Sequence, residues 1–231
     1  MIRSLVFSSL LCALPLLAQS PLPPPHFVRA SGEATVTAKP DRALINIGVT
    51  THATSAQAAS TQNATQTTQV LDSIRRVLGN AGEVKTAGYS LSPQYDYPSG
   101  HPARLTGYDA SNTVLVRVDD LPVLGKIIDA ATSTGANNIT GISFTLKDET
   151  AVRAEALKEA GIKARENAEA LAKALNVQVV GLLQAEPSEA NVRPLVQPML
   201  MMAAKTAAPS TPIESGTLDI HATVSVTLEV R

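Results

Sequence analysis

The 231 residues are 44% hydrophobic and 17% charged with a net charge of −1, a balance suited to a chain that buries one ordinary core. No run of Lys and Arg is longer than Arg75-Arg76, so the concentrated basic surface needed to hold nucleic acid is excluded. Cys12 is the only cysteine, which excludes a disulfide framework.

Arg3 followed by the apolar run Leu5 to Leu17 reads as a secretory signal peptide over 1–18, cut after Ala18. The run falls short of the roughly 20 apolar residues of a spanning helix, so no transmembrane segment is expected after signal removal. The expected location is periplasmic or secreted, and the mature chain would hold no cysteine. Its stability must then come from packing. Pro21, Pro23, Pro24 and Pro25 form a stiff Pro-rich tether over 19–27, and one domain is expected over 28–231.

From Val28 apolar side chains fall on alternate positions through Ala30, Ala34 and Val36, and again through Ala43, Ile45, Ile47 and Val49. Each run predicts a strand buried on one face, and Lys39-Pro40-Asp41 between them predicts a hairpin. Thr54 with Gln57 has capping-box spacing, and Val70, Leu71, Ile74, Val77 and Leu78 give the apolar stripe of a helix ending at Leu78. Two further strands, 83–97 and 106–118, are joined by a loop with Pro98, Gly100 and Pro102 as a second hairpin. Asp120 caps the next helix, with Pro122 in its first turn and Gly135 as a left-handed stop. A strand over 139–146 follows.

The helix predicted over 148–175 has a narrow seam of Leu157, Gly161, Ala164, Ala168, Leu171 and Leu175, with Glu159/Lys163 and Glu169/Lys173 as outer i, i+4 pairs. Residues 178–185 read as a short strand. Leu218, Ile220, Ala222, Val224, Val226, Leu228 and Val230 share one face of the longest strand, which predicts a central position. The order β-β-α-β-β-α-β-α-β-β implies an α+β fold, a twisted and largely antiparallel sheet with helices packed on one face. Residues 187–213 form a Pro/Met-rich arm or loop around Met199, Leu200, Met201 and Met202, either a lid over the core or an arm reaching a partner.

Three blocks carry a resemblance: Ser31 to Ala43 (SGEATVTAKPDRA), Thr106 to Val114 (TGYDASNTV) and Ala164 to Ala172 (ARENAEALA). In this order, with Ile213 to Gly216 before the last strand, they resemble the SIMPL domain over residues 28–231. The resemblance implies a periplasmic or secreted bacterial protein whose relatives can form ring-like oligomers and have been linked to oxidative stress. It implies no agreed activity and no catalytic residue to carry over.

The residues themselves spell no catalytic motif. His26, His52, His101 and His221 are scattered without metal-ligand spacing, so no metal and no cofactor is expected. A loose trio in the second hairpin offers His101 as base, Arg104 as anion clamp and Asp109 as orienting carboxylate, though polar loops carry such residues routinely. All four tyrosines, Tyr89, Tyr95, Tyr97 and Tyr108, lie within one hairpin, and Tyr89, Leu91, Tyr95 and Tyr97 are expected on one strand face. They either pack across the strands or present a patch to a ligand or a neighbouring subunit. The expectation is a non-enzymatic, homo-oligomeric envelope protein using this hairpin and the Met-rich arm. The alternative is a small-ligand or peptide-binding module, or a contact for another envelope protein.

Overall fold

A computed structural model describes residues 26–187, 191–195 and 211–231, and the Met199 to Met202 stretch lies outside them. The elements in chain order are β1 (Phe27–Ala38), β2 (Arg42–Ala53), α1 (Ala56–Leu78), β3 (Gly82–Asp96), β4 (Arg104–Val118), α2 (Leu124–Ser133), β5 (Asn138–Thr145), α3 (Thr150–Ala174), β6 (Val179–Pro187), β7 (Asn191–Leu195) and β8 (Thr217–Val230). The class is α+β and the expected order holds, with β7 added inside the Pro-rich segment. The antiparallel strands divide into two sheets rather than one. The first is β1-β8-β6 with β7 also on β8, and the second is β3-β4-β2-β5.

The predicted β1–β2 hairpin does not form. β1 pairs with β8 from Phe27 opposite Glu229 to Ala38 opposite Leu218, while β2 pairs with β4 and β5. The polar groups of the intervening turn are committed elsewhere. The Asp41 amide donates to the Thr145 carbonyl at 3.2 Å, and the Asp41 carboxylate accepts from the Lys147 amide at 2.7 Å. These bonds close a neck at which the chain enters and leaves an inserted lobe, with Arg42 opposite Thr145. That lobe, residues 42–145, is a β-α-β-β-α-β unit in which β4 lies between β2 and β3, the split βαβ arrangement of ferredoxin-like folds.

Each lobe has its own core. In the inserted lobe Ile45, Ile47, Val114 and Val116 pack under Val70, Ile74 and Leu78 of α1 and Ile127 of α2. The cap of α1 lies one residue after the predicted Thr54: Ser55 Oγ accepts from the Ala58 amide, and Gln57 turns forward to Thr61 instead of back along a capping box. The thinly apolar first half of α1 is anchored by Asn63. This residue is fully buried and its amide donates to the carbonyls of Val49 (2.8 Å) and Ala110 (2.9 Å). Gly135 has the expected left-handed φ of 114°, and Asp120 makes no side-chain cap.

In the second lobe α3 covers β1 and β8, and β8 is central as its length predicted. The buried seam of α3 is Ala156, Ala160, Ala164, Ala168 and Ala172, while Leu171 and Leu175 are exposed. A spacing of four throughout follows a row inclined to the helix axis, whereas alternating four and three would run along it. The helix therefore crosses the sheet obliquely on methyl groups. Its ion pairs are Glu149–Arg153, Glu155–Lys158 and Arg165–Glu169, not the two predicted ones. The outer face of this sheet is a polar ladder in which Ser31 meets Ser225, Thr35 meets His221 and Thr37 donates to Asp219.

Candidate functional site

The most distinctive surface is the distal half of the β3–β4 hairpin. Up to Thr86 the even residues of β3 face α1, as Val84 opposite Val116 shows. The register slips between Thr86 and Gly88, so Ala87 is an extra residue and the parity switches. From there the odd residues Tyr89, Leu91, Pro93 and Tyr95 come onto the α1 side, opposite Asn112, Ala110, Tyr108 and Leu105. One bulge thus decides which way the tyrosines point.

The Tyr89 hydroxyl donates to Ser60 Oγ at 3.0 Å, marking where the start of α1 reaches the hairpin. Beyond it nothing among the described residues covers this face. Tyr89, Tyr95 and Tyr97 are 53%, 47% and 75% exposed, and Leu91 and Leu105 are exposed beside them. The Tyr95 and Tyr97 ring centroids stand 6.4 Å apart at 47°, so Tyr97 stays near that patch although it lies past the end of β3. Cross-strand packing therefore accounts for part of each ring only. Asn112 Oδ1, across from Tyr89, is buried without a hydrogen-bond partner.

The polar trio has separate partners. His101 Nδ1 is 3.1 Å from the Ser99 carbonyl, and Arg104 lies 3.7 Å from Asp96 at the hairpin tip. Asp109 is engaged by His52, whose Nδ1 sits 2.6 Å from its carboxylate. A carboxylate accepts, so Nδ1 is the nitrogen that donates in this bond. The His52 ring also lies over Gly107, where a β-carbon would come within 2.7 Å of Nε2. This pair is on the face opposite the tyrosines, since His52 alternates with the inward Thr51. Sequence reading missed it because 57 residues separate the partners. Among the described residues no three His, Cys, Asp or Glu side chains converge as metal ligands.

A second polar cluster closes the base of the lobe. Arg42 Nε donates to Asp119 at 2.6 Å, and Arg117 bonds Glu83 at 3.1 Å while its Nε stands 3.4 Å from Asp119 without hydrogen-bond geometry. The Arg42 hydrogen bond holds the Asp119 carboxyl below its ordinary 3.8; burial opposes this, and the charges of Arg42, Arg117 and Lys147 reinforce it. The Asp148 carboxyl, just before α3, is held below its ordinary value by hydrogen bonds from the Thr150 side chain and from the Thr150 backbone amide. Both carboxylates serve architecture.

The family description SIMPL, "Protein of unknown function (DUF541)", matches residues 28–228. The chain belongs to the SIMPL family. Among SIMPL relatives, the 26 kDa periplasmic immunogenic protein of Brucella melitensis is 31% identical over 90% of this chain and 86% of its own length. The "Uncharacterized protein YggE" of Escherichia coli K12 is 30% identical over 80% of this chain and 74% of its own. A crystal structure of AtUAH in complex with glyoxylate aligns with a TM-score of 0.24 and 14% identity, over 58% of this chain and 33% of that one, and carries no argument at that level. These SIMPL relatives have no named enzymatic activity, and one is a periplasmic protein. No helix among the described residues is long and apolar enough to cross a membrane.

Proposed function

We propose that this SIMPL protein is an exported, non-enzymatic envelope protein that works by associating with further copies of itself. The carrying observation is β6. Val179, Val180, Leu182 and Leu183 are all exposed, and no charged residue occurs from Asn176 to Ala185. Among the described residues β6 pairs only with β8, which leaves its other edge with unpaired backbone groups beside apolar side chains. Edge strands are normally blunted by charge, proline or kinks. β3 carries Glu83, Lys85 and Pro93, and β5 is kinked by Gly141 at a left-handed φ of 65°. Over Val179 to Ala185, β6 has only its register shifts to blunt it.

Two β6 edges can pair antiparallel about a twofold axis, a self-complementary arrangement. At about 1–2 kcal/mol for each apolar side chain taken out of water, four from each copy reach the scale of a micromolar contact, about 8 kcal/mol, after the entropy of association is offset. Export is supported by the apolar run behind Arg3 and by the periplasmic Brucella relative. Light scattering after size exclusion on residues 19–231, over a range of concentrations, tests the reading. An assembly larger than one chain is expected, and a monomer at every concentration overturns it.

A further inference from the structure

We propose that the distal β3–β4 hairpin, where it emerges beside the start of α1, is a binding platform for a neutral oligosaccharide. The inference rests on a different lobe from the self-association surface and stands or falls independently of it. A sugar chain has two kinds of surface, apolar C–H faces and a rim of hydroxyls, and no formal charge when unmodified. The platform answers the first with exposed Tyr89, Leu91, Tyr95 and Leu105 on one side of a strand pair, and with the Tyr97 ring beside Tyr95. Tyrosine suits this because each ring gives a broad face while its hydroxyl keeps hydrogen-bonding capacity at the edge.

Charge decides among the ligand classes. From Ala53 to Leu71, through the whole first half of the bordering helix, every residue is Ala, Ser, Thr, Gln, Asn, Val or Leu. The charges nearest the hairpin tip, Asp96 and Arg104, face each other at 3.7 Å, and Asp109 is turned to His52 on the opposite face. An anionic glycan, a phosphorylated ligand or a charged peptide would find no counter-charge on this side among the described residues. Of what remains, a fatty chain would want an enclosed apolar groove, whereas this surface is open and edged with amides and hydroxyls. Tyr89 and Tyr95, six residues apart on one strand, stand about 20 Å from each other. A ligand spanning them is an oligomer rather than a single sugar.

The protein reports on this site by itself. It has no tryptophan, and its four tyrosines all lie between residues 89 and 108, so intrinsic tyrosine fluorescence comes from the hairpin alone. Chitotetraose, maltotetraose and cellotetraose are titrated in turn into residues 19–231. At least one is expected to give a saturable change that is insensitive to added salt and at least about tenfold tighter than for its monosaccharide. By calorimetry, Tyr95→Ala and Tyr97→Ala are expected to weaken that sugar about tenfold or more with little change in melting temperature, because both side chains are exposed. Absence of a saturable response to all three sugars overturns the proposal. So does a response that survives both substitutions or fades with salt.

Discussion

Gly32 of β1 lies directly against the backbone of Ala164 in α3: a β-carbon on Gly32 would land on the Ala164 amide nitrogen and the Ala160 carbonyl oxygen. The contact couples the first strand of the second lobe to α3, and backbone cannot step aside as a flexible side chain can. Gly32→Val is expected to lower stability by at least about 2 kcal/mol in urea unfolding, the scale of overpacking in a core with no slack. The companion Gly161→Ala meets open space on the same helix and is expected to gain about 0.5–1 kcal/mol from helix propensity. Equal effects from the two would refute the close approach.

Asn63 is the polar pin of the inserted lobe. Asn63→Ala removes the donors to the Val49 and Ala110 carbonyls and is expected to cost about 1–3 kcal/mol. Hydrogen exchange should locate the loss in β2, β4 and the first half of α1, and a uniform loss across both lobes would contradict the two-core architecture.

The pH dependence of the base follows from Asp119. Its folded pKa is depressed, so the stabilisation it contributes is full above the unfolded carboxylate value, about 3.9, and is lost as pH falls through the lower folded value. Asp119→Asn is therefore expected to be less stable than the natural chain at neutral pH, with the difference shrinking under acid. Melting temperatures measured from pH 7 downwards check this, and a gap that widened in acid would reverse the assignment.

On β6, Leu182→Lys places a charge on the most exposed apolar position of the edge. It is expected to shift the solution mass towards the single chain without lowering the melting temperature of the monomer. A Tyr95→Lys change in the other lobe is expected to leave the mass as it was.

Much of the architecture was legible locally. Alternation in β1, β2 and β8, the apolar stripe of α1 and the left-handed Gly135 are properties of neighbouring residues, and they gave class, element order and the central place of β8. The three sequence blocks likewise carried the family. The choice of partner was not local. β1 and β2 both alternate and are joined by turn residues, yet β8, about 190 residues away, offers β1 a twelve-residue register, and Asp41 spends its polar groups on the neck. The predicted seam of α3 holds at Leu157, Ala164 and Ala168 and fails at Leu171 and Leu175 for a similar reason: a heptad spacing and a spacing of four coexist in an alanine-rich helix, and only the direction in which it crosses the sheet selects Ala156 to Ala172.

For the candidate site, sequence showed that the tyrosines cluster and that no catalytic motif accompanies them. Tertiary structure decided the rest. The bulge at Ala87 determines which face the rings occupy, the length of the hairpin relative to α1 leaves them uncovered, and Asp109 finds His52 across a strand pair instead of His101 in its own loop. Short-range order follows from the backbone preferences and periodicity of adjacent residues, whereas pairing and exposure depend on which distant surfaces compete for the same hydrogen bonds and the same apolar area.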